Sequence, residues 1–88
     1  MLFNPGRIVA TPGAIELIGD NDERTLSYLS RHCSGDWGDV CKEDSKLNDE
    51  ALKLGNRLLS SYNLEDKKVW VITEADRSVT TLLLPEEY

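Results

Sequence analysis

Cysteine and histidine are scarce in this chain: two of the first, Cys33 and Cys41, and one of the second, His32, among 88 residues. Two cysteines are too few for a disulfide scaffold, so a reducing cytoplasm is the expected setting. Nor do they make an ordinary closed zinc site, because His32 and Cys33 are adjacent and there is no Cys-x-x-Cys pair. Long apolar runs are missing as well; nothing approaches the roughly 18 residues of a membrane span. The opening Met1–Gly6 has neither the basic region nor the apolar stretch of a signal peptide. Gly6, Gly13 and Gly19 do not match a phosphate-binding loop. No metal, nucleotide or other cofactor is therefore expected.

What is present is globular and acidic. Apolar residues make up 40% and charged ones 30%, with a formal charge of −6. This length specifies one small domain, residues 1–88, that buries roughly 60–65% of its unfolded surface. The acidity is uneven. Asp36, Asp39, Glu43, Asp44, Asp49 and Glu50 face only Lys42 and Lys46 within residues 36–50, whereas the flanking stretches are nearly balanced. Phosphates repel such a surface, so non-specific nucleic-acid binding is disfavoured and a protein partner is the better expectation.

Local chemistry predicts the elements. Arg7–Ala10 has strand character. Thr11 as N-cap and Pro12 at the first position open a short helix over Ala14–Ile18 that Gly19 stops. Asp20, Asn21 and Asp22 offer a second cap, followed by a helix with an apolar stripe of Leu26, Leu29 and Cys33 that ends at Gly35. A third helix is expected from Glu43 to Leu54, with Leu47, Ala51 and Leu54 on its apolar side and Gly55 as its stop. The period then changes. Arg57–Tyr62, Lys68–Thr73 and Val79–Leu84 read as strands joined by polar hairpin-length connections. The expected fold is α+β: N-terminal helices packed on a three- or four-stranded antiparallel meander. Val69, Val71 and Thr73 share one face of its middle strand.

Three segments together carry a family likeness. They are Phe3 to Ala14 (FNPGRIVATPGA), Arg31-His32 with Gly35-Asp36-Trp37-Gly38, and Trp70 to Tyr88 (WVITEADRSVTTLLLPEEY). On these the chain resembles a family of small uncharacterised bacterial proteins carried on plasmids and integrative elements, some labelled "plasmid-related protein". The resemblance implies a bacterial cytoplasmic setting and a mobile-element role. The family has no established activity, so no catalytic residue transfers with it.

Two functional readings compete. The favoured one is a non-enzymatic interaction protein, an accessory factor of a mobile element with an anti-defence role among the candidates. Its contact surface would be Asp36, Trp37, Asp39, Glu43, Asp44, Asp49 and Glu50; the bland alternative is a solvated, solubilising face. The second reading is a metal-independent, barnase- or RelE-like ribonuclease. There His32 would be the general acid or base, and Arg31, Arg57 or Arg77 would hold the phosphate. Against it, helix-end histidines often cap carbonyls, and Gly35-Asp36-Trp37-Gly38 also reads as a tight turn anchored by a buried indole. A homodimer is a third expectation, through a strand edge at Arg57–Tyr62 or Val79–Leu84.

Overall fold

The computed structural model describes all 88 residues. Its elements run β1 (Arg7–Ala10), α1 (Pro12–Ile18), α2 (Asp22–Cys33), α3 (Lys42–Leu54), β2 (Leu58–Leu64), β3 (Lys67–Thr73), β4 (Val79–Leu83) and a 3-10 turn at Pro85–Glu87. The fold is α+β as expected, with one strand ahead of the helices. The meander is antiparallel: Leu59 pairs with Ile72 and Ile72 with Thr81. The strand order, β1-β4-β3-β2, brings β1 alongside β4 in parallel, so the four-stranded sheet is mixed.

The helix boundaries follow the caps. The Thr11 hydroxyl accepts from the Ala14 N–H at 3.3 Å, Pro12 occupies the first turn, and Gly19 closes α1 at φ 69°. Asn21 is the residue of the second cap that acts, accepting from the Arg24 N–H at 2.9 Å. Helix α3 starts at Lys42, one residue earlier than expected, because the Cys41 side chain caps it. Gly55 ends it in the left-handed conformation.

The inward faces of the helices match the predicted stripes only in part: Leu29 and Cys33 of α2 and Ala51 of α3 face inward as expected. In α2 the buried residues are Tyr28, His32 and Cys33, while Leu26 is 64% exposed. In α3 they are Asn48 and Ala51, and Leu47 and Leu54 stand in solvent. The cause is what the sheet offers. Tyr28 stacks on Tyr62 with ring centroids 5.1 Å apart, and His32 meets hydroxyls of the sheet. Pairing matters more here than hydrophobicity counted by residue type.

One sheet face, built from Leu58, Ser60, Tyr62 and Leu64 of β2, Val69, Val71 and Thr73 of β3, and Thr80 and Leu82 of β4, is buried. It makes the main core with Ala14, Ile18 and Tyr28; Trp37, Ala51 and Leu58 form a second, smaller cluster. The predicted dimer edges are not available. Strand β4 is interior, and β2, though outermost, has most of its outward backbone groups occupied. The Asn48 amide donates to the Leu59 carbonyl (2.7 Å) and accepts from the Leu59 N–H (3.1 Å). Ser61 donates to the Trp37 carbonyl and accepts from the Asp39 N–H. The Tyr28 hydroxyl donates to the Asn63 carbonyl. Gly38 permits the Trp37–Asp39 approach: its φ is 74°, and a Cβ there would collide with the Ser61 carbonyl and the Tyr62 ring.

Candidate functional site

His32 lies near the C-terminal end of α2 with no solvent-exposed surface. Its Nδ1 is 2.5 Å from the Ser60 hydroxyl and its Nε2 is 2.9 Å from the Thr73 hydroxyl. Thr73 and Thr80 hydroxyls lie 2.7 Å apart, and Thr80 donates to the Pro5 carbonyl at 2.6 Å. That carbonyl can only accept, and this fixes the protons from Thr80 back to Nε2, while the low pKa of the buried ring leaves Nδ1 unprotonated. Thr80 spends its proton on Pro5, so it accepts from Thr73. Thr73 in turn accepts from an Nε2–H of His32, and Nδ1 accepts from Ser60. The imidazole is thus the neutral Nε2–H tautomer in a one-directional relay from Ser60 to Pro5. Protonation would turn Nδ1 into a second donor, and the Ser60 hydroxyl would then have to rotate to accept from it. Burial pushes the His32 pKa down to about 4, and the Arg77 guanidinium adds to the depression. Phe3 and Trp37 meet the imidazole edge-to-face at centroid distances of 5.3 and 5.7 Å.

The arginines do not converge on a shared cleft. Arg31 donates its Nε–H to Asp36 at 2.7 Å and lies over the Tyr62 ring. Arg77 donates to the carbonyls of Ala51, Asn56, Glu74 and Ala75, joining the end of α3 to the β3–β4 turn. Arg57 donates to the Tyr88 hydroxyl at 2.5 Å and stands over its ring. With both ring nitrogens of His32 bonded within the protein and its surface covered, this arrangement presents no acid–base group to a substrate. No cluster of His, Cys, Asp and Glu has metal-binding geometry.

The acidic residues divide into two groups. Asp36 accepts from Arg31 and from the Gly38 N–H, and these bonds, with the guanidinium's the larger, hold its carboxyl below the usual range. Asp39 pairs with Lys68, which likewise lowers its pKa. Asp49 accepts from the indole N–H of buried Trp37 at 3.0 Å. These three acids and Trp37 build the 36–40 loop and its packing on α3. Glu43, Asp44 and Glu50 are exposed and make no ion pair, with Glu43 and Asp44 in the first turn of α3.

On α3, Glu43, Leu47, Glu50 and Leu54 follow at i, i+4, i+7 and i+11 and share one helical face. Leu47 and Leu54 are 60% and 70% exposed. Beside this face, Leu47, Leu59, Asp44, Asn48 and Arg57 line a groove of about 220 Å³. The two leucines were expected in the core, and their exposure is legible only once the inward side of α3 is known. No helix is long and apolar enough to cross a membrane. Comparison with protein families, with curated proteins and with solved structures finds no match for this chain.

Proposed function

We propose that this chain is a non-enzymatic interaction protein that binds another protein through the outer face of α3. The observation that carries this reading is the exposed Glu43–Leu47–Glu50–Leu54 stripe, two large apolar side chains alternating with two carboxylates. Free leucines at this spacing suit an amphipathic partner segment, whose apolar seam would cover Leu47 and Leu54. Basic side chains on that segment would meet Glu43, Asp44 and Glu50, while the groove floored by Leu59 receives an apolar anchor. The net charge of −6 disfavours a nucleic-acid ligand. The family resemblance adds a cytoplasmic, mobile-element setting to the proposal.

A variant with Leu47→Ser, Leu54→Ser, Glu43→Gln and Glu50→Gln tests it. These side chains make no hydrogen bond or ion pair in the fold, so far-UV circular dichroism and the unfolding midpoint should stay close to those of the parent. Capture of the partner from crosslinked host cells should be lost. Undiminished capture of the same protein would overturn the assignment.

A further inference from the structure

The two sheet edges are built differently. Along β2 both outward backbone groups of Leu59 and Ser61 and the Asn63 carbonyl are occupied, by Asn48, Trp37, Asp39 and Tyr28. Along β1 no such cover exists. The Arg7 N–H donates to the Ser78 carbonyl and the Thr11 N–H to the Leu82 carbonyl, both at 3.0 Å. In a parallel ladder the intervening residues alternate, so the N–H and C=O of Ile8 and Ala10 point away from β4. Ile8 is 41% exposed and Ala10 is exposed too. An edge left in this state is a template for another strand.

We propose that β1 pairs with the β1 of a second copy, antiparallel about a two-fold axis through Val9. That register is self-complementary. Ile8 faces Ala10 of the second copy and Ala10 faces its Ile8, which uses all four outward groups of each strand in hydrogen-bonded pairs. The two Val9 residues then form the non-hydrogen-bonded pair, where Cα atoms approach to about 4.5 Å. The ladder ends where the sequence ends it, since Pro12 has no N–H and the Gly6 N–H already donates to Asn4.

Charge favours the same partner. Arg7 makes no ion pair within the chain. In this register it lies opposite Thr11 of the second copy, on the sheet face that carries the Thr11 side chain. The Thr11 hydroxyl donates to Glu87 at 2.6 Å, and the Gly13 and Leu84 N–H groups hold the same carboxylate in place. Each Arg7 therefore meets one fixed anion, and the contact occurs twice in the symmetric pair. The combined sheet would read β2-β3-β4-β1-β1-β4-β3-β2. It sets the two α3 faces at opposite ends, although the pairing does not depend on what α3 binds.

The test is sedimentation velocity on the full chain from dilute to concentrated solution, with three variants. The parent should pass reversibly from one to two copies. Ala10→Pro removes an outward N–H that β4 does not use, and Arg7→Glu sets like charges against Glu87; both should remain monomeric. Val9→Cys, in a Cys41→Ser background, should form a disulfide-linked dimer on mild oxidation, and Ile8→Cys in that background should not. A parent that stays monomeric at all concentrations overturns the proposal. So does a dimer that persists in folded Arg7→Glu, or one whose Val9→Cys variant fails to crosslink.

Discussion

At the scale of single residues, His32 shows how the same side chain can look catalytic in sequence and be structural in space. Its position beside Arg31 and before Asp36 is what an acid–base group would want, yet the sheet supplies Ser60 and Thr73 as partners inside the protein. The sequence could not reveal this, because those hydroxyls come from strands that begin 26 and 35 residues beyond the helix position. Stability should depend on pH accordingly. The unfolded chain binds a proton at His32 below pH 6.5, and the folded one resists it until about pH 4. Between those values the unfolded state holds more protons, so stability rises with pH, by about 3 kcal/mol in all, and is level above the window. Urea unfolding across the range should show this slope, and His32→Gln should abolish it. Replacing His32 with Ala opens a cavity and strands two hydroxyls, which should cost about 3–5 kcal/mol.

At the scale of elements, what is written locally was legible and what depends on a neighbour was not. Thr11 with Pro12, Gly19, Asn21 and Gly55 mark helix ends through bonds made within a few residues, and the elements begin and stop where those residues stand. The strands were visible from period and branching, although β2 runs on to Leu64 because Asn63 and Leu64 still pair with Lys68 and Lys67. The buried side of α2 and α3 was hidden, since Tyr28, His32 and Asn48 face inward to meet specific partners while Leu26, Leu47 and Leu54 do not. Asn48 is the clearest case. A polar residue on an acidic helix reads as surface, but its amide imitates one rung of a strand against Leu59. Asn48→Ala should cost about 2 kcal/mol by chemical denaturation, and it should free the β2 edge for association that the parent does not show. Asn48→Asp, which sets a buried carboxylate oxygen against the Leu59 carbonyl, should cost more than Asn48→Ala.

At the scale of the whole molecule, the division of the acids organises the account. Asp36, Asp39 and Asp49 are committed to Arg31, Lys68 and Trp37, so the acidic stretch is partly scaffold. What remains free is concentrated on one helix, with two leucines that the core does not use. Of the residues in the proposed contact surface, Glu43, Asp44 and Glu50 stood out in the sequence by charge, whereas Leu47 and Leu54 were assigned to the interior and are exposed. Exposed leucine alone does not define a docking face, because Leu26 on α2 is exposed to the same degree, with Asp22 and Glu23 one turn before it, yet lines no groove like the one beside Leu47. That contrast supplies the most direct measurement. A photo-reactive amino acid placed at position 47, 54 or 26 can be activated in host cells and its adducts resolved by mass. One protein adduct common to positions 47 and 54, mapped to an apolar segment with basic flanks, is expected, and none at position 26. The same adduct at position 26, or none at 47 and 54, would contradict it.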